Sequence, residues 1–481
     1  MNITSLQPAA LWQHFAALNA VPRPSKKEQR VIEFAKNFGE SLGLPTMVDE
    51  AGNVIISKPA TKGMEDRPAL VLQSHLDMVH QKNAGTDFDF DTQGIQMYVD
   101  GDWVKARGTT LGADNGIGVA AIMAVLASND IPHPAIQALF TIDEETGMTG
   151  ALALKGGILK GNILLNLDTE EDTELTIGCA GGVDITATAN YNQVEPKNNL
   201  ALKISVSGLT GGHSGMDIHK GRGNANKLLN RMLYALCKQM SIELLSFEGG
   251  SLRNAIPREA NATIVVAQVN ESDCLNLLKG LEEAICAELR TTDPNFKCVV
   301  EKAEKPSKVA SPEFSNAFIR AVYACPVGIY RMSPDIAGLV QTSNNLARIQ
   351  LKEGSVQVQC LGRSSVDSEK TDLQHAVAAA FETCGAEVKF SGAYPGWTPR
   401  PDSMLVKFMS ELYAKKFSHP AHVSAVHAGL ECGILGTNYP DMQMISFGPN
   451  ITGAHSPDEQ VQISSVQKFW DYFLAALKEI K

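Results

Sequence analysis

Histidine and acidic residues follow several apolar segments that have the composition of buried strands. The segment Ala69–Gln73 leads into Ser74-His75-Leu76-Asp77, and on an extended chain His75 and Asp77 point to the same face. A histidine that binds a metal usually has a carboxylate beside it, which fixes the tautomer of the imidazole. The pair is therefore typical of a metal ligand and the residue that orients it.

Further acidic and histidine residues lie at comparable positions. They are Asp114 in the Gly-rich turn Leu111–Gly116 ahead of an apolar helix, Asp143-Glu144-Glu145 after the strand Ala135–Thr141, Asp168 after the strand Ile163–Leu167, and His455 after the Gly-rich segment Gly448–Gly453. In an open α/β sheet, ligands gather outside the carboxyl ends of the strands. Residues far apart in the chain can therefore converge on one site.

The chemistry of this set points to a pair of metal ions. Two imidazoles and three carboxylates come from His75, Asp114, Glu145, Asp168 and His455. They suit two Zn²⁺-like ions, each with one nitrogen ligand, one terminal carboxylate and a shared bridging carboxylate. Such a pair lowers the pKa of a bridging water and polarises the attacked carbonyl. Attack by hydroxide also needs a proton acceptor, and Glu144, adjacent to Glu145, is the natural candidate.

The arrangement of apolar segments predicts the elements that hold these residues. Strand-like and helix-like segments alternate in residues 1–183 and 392–481, which predicts an α/β domain with a mostly parallel central sheet. Residues 184–391 have an α+β pattern with a long helix at Ala225–Gln239, which predicts an inserted domain. Ser25 and Glu28 predict a capping box at the start of a helix.

Composition excludes several classes of protein. The chain has 42 basic and 53 acidic residues and a net charge of −11, which argues against a nucleic-acid binder. It has no apolar run long enough to cross a membrane, and its first residues lack the features of a secretory signal. The nine cysteines form no C-x-x-C pair. We therefore expect a cytoplasmic protein with reduced thiols and with neither nucleic acid nor membrane as a partner.

Three segments resemble the motifs of a known family. Ser74–Val79, Gly112–Gly118 and Thr141–Gly147 are similar to those of the co-catalytic zinc peptidases of the M20 family, and within it to the aminoacyl-histidine dipeptidases. The likeness extends over nearly the whole chain. It implies a catalytic domain interrupted by a lid domain, and a cytosolic dipeptidase that hydrolyses Xaa-His and related, carnosine-like dipeptides. It also implies two Zn²⁺ ions per chain, for which Co²⁺ or Mn²⁺ could substitute.

The resemblance implies a role for each candidate residue in the catalytic domain. His75 and Asp168 would hold one zinc ion, Glu145 and His455 would hold the other, and Asp114 would bridge the two. Asp77 would orient His75. Glu144 would be the general base, and would then protonate the leaving amine.

The lid domain also contains residues that match the family. His213 in Gly211–Gly215 matches a histidine that stabilises the tetrahedral oxyanion. Asn254 and Arg363 match positions that bind the C-terminal carboxylate of the substrate, for which a planar guanidinium is well suited.

Each candidate also has an ordinary structural interpretation. Acidic runs are mostly surface charges, Asp114 could be a turn or N-cap residue, and His455, His213 and Arg363 could be loop or surface residues. The order of the motifs along the chain favours the site. A serine-hydrolase motif is excluded because Met216 stands where G-x-S-x-G requires glycine. An M20-like deacylase of N-acyl-amino acids and a non-catalytic binding relative stay open as alternatives.

The length of the insert bears on how His213 acts. In M20-like dimers with a short lid, this histidine reaches the neighbouring subunit, but here the insert is about twice as long. A short internal echo links Arg253–Pro257 with Ser343–Arg348, each interpreted as preceding a strand. Two lid-like halves in one chain would let His213 act within its own chain, and a homodimer is compatible with this hypothesis.

Overall fold

The computed structural model describes residues 2–481, which form two compact units. The first unit contains the described chain up to Gly178 together with Pro399–Ala425 and Leu430–Lys481. The second contains Cys179–Thr398 and the short segment Val426–Gly429. Nothing in the sequence predicts that this short segment belongs to the second unit. Within residues 2–481, no helix combines the length and apolar character needed to cross a membrane.

An eight-stranded sheet forms the centre of the first unit. Its strands lie in the spatial order Thr46–Val48, Val54–Lys58, Ile136–Thr141, Leu70–His75, Ile163–Asn166, Gln443–Ser446, Glu174–Cys179 and His422–Val426. The third to sixth strands in this order are parallel to one another, and antiparallel strands flank them on both sides. The predicted α/β class is confirmed, and the flanking antiparallel strands are an addition to the prediction.

Helices cover this sheet. They are Ala9–Asn19, Gln29–Ser41, Ala113–Ala127, Thr149–Ala153, Met404–Phe417, Glu431–Asn438 and Ile463–Glu479, with a 3₁₀ turn at Ile3–Ser5. The helix Ala113–Ala127 packs against Ala9–Asn19 and against the strand Leu70–His75. Every residue of that strand is buried, which is typical of a parallel strand covered on both faces.

The predicted capping box at Ser25 and Glu28 is wrong. The helix begins at Gln29, and Glu28 makes no side-chain cap. The Ser25 hydroxyl instead donates to Oδ2 of Asp77 at 2.8 Å, and Oε1 of Glu28 accepts from the backbone N–H of Lys26. The Ser25 hydroxyl, which the local pattern predicted to cap the helix, therefore bonds the buried carboxylate of Asp77 instead.

The register of the parallel strands brings the predicted site residues to one edge of the sheet. His75 pairs with Thr141, and Asn166 pairs with both Gln73 and Ser446. The strands therefore end at nearly the same level. Because parallel strands in register share one carboxyl edge, the residues that follow them lie side by side.

A small four-stranded sheet carries the C-terminal part of the site. Its strands are ordered Ile451–Thr452, Gln460–Gln462, Trp103–Ala106 and Met97–Asp100. The first two strands pair as an antiparallel hairpin, and His455 lies in the connection with a backbone φ of 63°. This hairpin fixes the backbone position of His455.

The second unit contains a nine-stranded sheet made of two halves with the same strand order. One half is Lys297–Ala303, Leu200–Ser207, Ala260–Val266 and Glu243–Gly249, and the other, read from its own outer edge, is Glu387–Tyr394, Gly181–Asn190, Ser355–Ser364 and Val340–Lys352. The halves meet where Phe247 pairs with Leu351. Gly328–Met332 adds a ninth strand beside Val340–Lys352.

Two helices accompany the strands of each half of this sheet. They are Ala225–Gln239 and Glu271–Glu288 in one half, and Pro312–Ala324 and Asp367–Glu382 in the other, with 3₁₀ turns at Ile218–Lys220 and Gln268–Asn270. Short strand pairs complete the unit, Gln193–Val194 with Val309–Ala310 and Gly212–His213 with Ala255–Ile256. The internal echo is misplaced: Ser343–Arg348 lies inside the long strand Val340–Lys352, whereas Arg253–Pro257 contains only the two-residue strand Ala255–Ile256. The repeat exists in the topology, and the short sequence match does not mark it.

Asp293 holds both ends of the loop that carries His213. Its Oδ1 accepts from the N–H of Thr210 at 2.8 Å, its Oδ2 accepts from the N–H of Gly223 at 2.9 Å, and the side chain is buried. A buried carboxylate that accepts two backbone N–H groups satisfies donors that the loop cannot pair by itself. The loop is therefore fastened at its base.

Replacing Asp293 by asparagine should loosen this loop. The amide nitrogen would face one of the two N–H donors and leave it unpaired, which costs about 1–3 kcal/mol. We expect a lower unfolding temperature of the second unit and faster hydrogen exchange at Thr210 and Gly223. The exposed residue Asp335 in the same unit provides the control variant Asp335→Asn. Equal exchange rates in Asp293→Asn and wild type would show that Asp293 does not fasten the loop.

Candidate functional site

Two groups of metal-ligating side chains share one carboxylate in the first unit. His75, Asp114 and Asp168 form one group, and Asp114, Glu145 and His455 form the other, with the ligand atoms of each group within 4.8 Å of one another. Oδ1 of Asp114 lies 3.2 Å from Nε2 of His75, and its Oδ2 lies 3.2 Å from Nε2 of His455. Asp114 therefore directs one oxygen to each group.

The remaining distances complete both groups. Nε2 of His75 lies 3.5 Å from Oδ1 of Asp168, and Nε2 of His455 lies 3.0 Å from Oε2 of Glu145. The His75 side chain is buried, whereas the His455 side chain is 56% exposed. The second group is therefore the one that opens to solvent. The structure brings together all five residues that the sequence predicted as metal ligands.

Asp77 connects His75 with the acidic turn. Its Oδ1 lies 3.3 Å from Nδ1 of His75 and accepts from the N–H of Glu144 at 3.0 Å. Its Oδ2 accepts from the N–H of Glu145 at 3.3 Å and from Ser25. One buried carboxylate thus fixes the imidazole of His75 with Nε2 facing Asp114 and also fixes the backbone that carries Glu144 and Glu145.

A third acidic group lies behind the site. It consists of the buried carboxylates of Glu28, Asp77 and Asp143 and contains no imidazole. Asp143 accepts from the hydroxyls of Thr146 and Thr149, and the oxygens of the other two carboxylates accept the hydrogen bonds already described. These carboxylates organise loops around the site.

Two supporting residues were not predicted from the sequence. Nδ2 of Asn115 donates to Oδ1 of Asp168 and, at 2.8 Å, to the carbonyl of Leu167. Glu431 is fully buried, and its Oε2 accepts from Nε2 of Gln73 and from the Thr141 hydroxyl, both at 2.6 Å. The position of Asn115 directly after Asp114 could have marked it, but nothing around Glu431 in the sequence distinguishes it.

Burial and crowding raise the pKa of several carboxyl groups at the site. Burial is the main cause of a pKa of Glu144 well above its usual range, and neighbouring carboxylates add to it. Burial also raises the pKa of Glu170 to about 8, with a further contribution from Asp114, and the pKa of Glu431 to about 8. The edge of the sheet therefore concentrates acidic groups where water is scarce, which favours the binding of cations.

The imidazoles counter part of this charge. Hydrogen bonds to Asp114 and Glu145 raise the pKa of His455 to about 11. Burial alone would raise the pKa of Asp114, but His455 and His75 hold it below its usual range. Among residues 2–481, no lysine or arginine lies within ion-pair distance of Asp114, Glu145 or Asp168.

The donor set fits two metal ions. Each group offers one imidazole nitrogen and two carboxylate oxygens, a combination suited to Zn²⁺ with a position left open. Oε1 of Glu145 is buried and has no hydrogen-bond partner, so an acceptor atom is available beside the second group. The nitrogen and carboxylate set, with one shared carboxylate, has the composition of a co-catalytic pair.

His213 lies in a short strand of the second unit. Its Nδ1 accepts from the backbone N–H groups of Gly215 at 3.2 Å and Met216 at 3.0 Å, and Asp217 accepts from its own N–H. Because Nδ1 is the acceptor, the proton of a neutral imidazole is assigned to Nε2. His213 can therefore donate a hydrogen bond from Nε2.

Arg363 lies beside the same segment. It is buried, its Nη1 donates to the Tyr394 hydroxyl at 3.0 Å, and its Nε has no partner. A methyl group at Gly215 would collide with the His427 carbonyl and lie 3.2 Å from both Nε of Arg363 and Cε1 of His213. The second unit thus brings His213 and Arg363 together, and only glycine leaves room for them.

Asn254 and His427 border this segment. The Asn254 carbonyl accepts from the N–H of Ser214 at 2.8 Å, and the residue is exposed. Nε2 of His427 lies 2.7 Å from the Ser343 hydroxyl, and burial, aided by Arg363, lowers the pKa of His427 to about 3. His427 is therefore neutral, and its place beside Gly215 follows from the segment Val426–Gly429 that the sequence did not predict.

Comparison with known proteins identifies the family of the chain. Residues 71–479 match Peptidase family M20/M25/M40. The chain is 42% identical to the cytosol non-specific dipeptidase of Escherichia coli over 480 residues, which is 100% of this chain and 99% of the relative.

Solved structures show the same relationship. The crystal structure of aminoacylhistidine dipeptidase from Vibrio alginolyticus is 44% identical, covers 100% of this chain and 98% of its own, and superposes with a TM-score of 0.93. Aminopeptidase PepT from Bacillus cereus, at 16% identity and a TM-score of 0.58 with 99% of both chains covered, shares the fold. The chain therefore belongs to the M20 family of peptidases and is a hydrolase of peptide bonds.

Proposed function

We propose that this chain is a cytosolic dipeptidase that uses two Zn²⁺ ions and accepts Xaa-His dipeptides among its substrates. The observation that carries the proposal is the sharing of Asp114 between two groups of one imidazole and two carboxylates. His75 and Asp168 would hold one ion, Glu145 and His455 the other, and Asp114 both. The names of the two similar dipeptidases support the substrate class, and the name of the Escherichia coli relative supports a place in the cytosol.

The residues of the first unit divide the chemical work. The two ions, when bound, supply Lewis acidity that polarises the peptide carbonyl and acidifies water. Glu144 takes the proton from the attacking water and delivers it to the leaving amine, the usual role of a general base with a raised pKa. Asp77 keeps His75 in one tautomer and keeps the backbone of Glu144 in place.

The residues of the second unit are proposed to recognise the substrate. The unpartnered, buried Nε of Arg363 is a charged donor suited to the C-terminal carboxylate of a dipeptide. Asn254 would assist at this carboxylate, and the Nε2–H of His213 would donate to the oxyanion that forms during attack. That His213 serves its own chain rather than a homodimer partner stays a prediction.

An M20-like deacylase is the second candidate, because the same metal centre would cleave an N-acyl bond. The test is removal of metal followed by turnover measurements on a panel. Chelation should abolish activity, and Zn²⁺, Co²⁺ or Mn²⁺ should restore at least part of it. The reloaded enzyme should cleave free dipeptides, including β-alanyl-histidine, faster than N-acetyl-amino acids. Full activity without metal would refute the dinuclear proposal, and a preference for acyl-amino acids would favour the deacylase.

Glu144→Gln should remove the proton acceptor while both metal ions stay bound. We expect kcat to fall on the order of 10²- to 10⁴-fold, the usual contribution of general acid–base catalysis. Glu145→Gln should instead lower the metal content. Metal analysis and kcat of both variants, with the exposed Glu411→Gln as control, separate the two roles. Loss of metal in Glu144→Gln alone would mean that the roles are reversed.

Arg363→Ala should weaken binding only of substrates that have a free carboxylate. We expect KM for a free dipeptide to rise on the order of 10- to 100-fold, since a hydrogen bond to a charged group is lost. KM for the same dipeptide with its C-terminal carboxylate converted to an amide should change little. Arg290→Ala, at an exposed arginine of the same unit, is the matched control. An equal rise for both substrates would show that Arg363 does not bind the carboxylate.

A further inference from the structure

Glu459 is a buried carboxylate that accepts four hydrogen bonds from one backbone turn. Its Oε2 accepts from the N–H groups of Leu111 at 2.7 Å and Gly112 at 2.9 Å. Its Oε1 accepts from those of Ala113 at 2.7 Å and Asp114 at 3.2 Å. The residue is only 3% exposed. The N–H groups of four consecutive residues, Leu111–Asp114, which lead into and begin the helix that carries Asp114, therefore all donate to one side chain.

The carbonyl groups of the same turn are also held. Nδ2 of Asn19 donates to the carbonyl of Leu111 at 2.9 Å, and Nη2 of Arg23 donates to that of Gly112 at 2.5 Å. Nη1 of the buried Arg23 donates to the carbonyl of Leu76, next to His75, at 2.9 Å. The turn is thereby linked to the segment that carries the first imidazole.

Glu459 also belongs to the segment that carries the other imidazole. It lies four residues after His455, just before the hairpin strand Gln460–Gln462. The connection is closed by hydrogen bonds from the N–H of Ser456 to the carbonyl of Gly453 at 3.2 Å and from the N–H of Glu459 to the carbonyl of Ser456 at 3.1 Å. A short closed turn thus sets the distance from Glu459 to His455.

We propose that Glu459 is a positioning residue that fixes Asp114 relative to His455 and so sets the spacing of the two metal ions. The inference rests on the proposed dinuclear function. Oδ2 of Asp114 lies 3.2 Å from Nε2 of His455, and Glu459 is the side chain that joins the two backbones. Its own oxygens are occupied by N–H donors, which leaves it no ligand role.

The chemistry of the contact predicts which substitutions fail. Glutamine would direct an NH₂ group at two N–H donors, so two amides would lose their acceptor. Aspartate keeps both acceptor oxygens on a side chain shorter by one methylene, so it should recover part of the function. Asp458 is adjacent and exposed, and Asp458→Asn removes the same formal charge without touching the turn.

The experiment loads metal-free wild type, Glu459→Gln, Glu459→Asp and Asp458→Asn with Mn²⁺ and follows electron paramagnetic resonance during titration. Two ions that share a carboxylate give an exchange-coupled spectrum, which a purely structural defect at another place would leave unchanged. We expect coupling in wild type and Asp458→Asn. In Glu459→Gln we expect its loss, together with a fall on the order of 10- to 100-fold in affinity for the second ion and in kcat. KM should change little, and Glu459→Asp should be intermediate.

The possible outcomes separate this inference from the function on which it rests. A wild-type protein that binds one ion or none would refute the dinuclear function itself. A coupled wild type with an equally coupled, equally active Glu459→Gln would overturn only the role of Glu459. If Glu459→Gln does not fold, two other measurements test the proposal: the spectrum of Glu459→Asp and hydrogen exchange of the metal-loaded wild type. Fast exchange at the amides of residues 111–114 would overturn it. Unaltered coupling in Glu459→Asp would overturn it as well.

Discussion

Mutual repulsion between buried carboxylates is the constraint on which the site depends. Asp168 faces His75, Glu145 faces His455 and Asp114 faces both, and the pKa values of Glu144 and Glu170 are raised by burial beside them. Coulomb repulsion is strong where water is scarce, so side chains left free would turn away from one another. The fold must therefore hold the carboxylates in place before any cation compensates them.

Neutral backbone groups and a few polar side chains provide this hold. Asp77 accepts the N–H groups of Glu144 and Glu145, and Asn115 donates to Asp168. None of these contacts adds a cation that would compete with a metal ion for the ligand oxygens. Rigid placement by hydrogen bonds around the ligands is also what tunes metal affinity in proteins generally. The supporting contacts and the ligands thus form one structural unit.

The candidate ligands could be named from the sequence because of their residue types and positions, whereas the residues that support them are paired over long distances in the chain and could not. His75, Asp168 and the Glu144-Glu145 pair follow apolar strands, and strand ends are visible in the chain itself. Glu459 has its partners more than three hundred positions away, and those partners are backbone N–H groups that every residue possesses. No residue type marks such a partner. The partners of Glu431 are side chains, Gln73 and Thr141, but they lie 358 and 290 positions away, so no local pattern marks that arrangement.

The errors in the sequence interpretation also have physical causes. The Ser25 hydroxyl bonds Asp77 because a buried carboxylate needs a donor more than an exposed helix end does. The internal echo failed because its two segments occupy different places: Ser343–Arg348 lies in the large sheet, whereas Ala255–Ile256 pairs only with Gly212–His213. Topology is retained when the apolar pattern is retained, so a true structural repeat need not leave a legible sequence repeat. The long helix Ala225–Gln239 was predicted correctly because its apolar periodicity is strong.

The position of the strand Gln443–Ser446 has a consequence for synthesis on the ribosome. It pairs with Ile163–Asn166, yet the whole second unit is translated between the two. At about 5–20 residues per second, the nascent chain waits on the order of 15 s to 1 min for this strand, and longer for His455. Until then the apolar edge of Ile163–Asn166 has no neighbour on that side and can template wrong pairing. The five candidate metal ligands can therefore come together only after this strand and His455 have been translated.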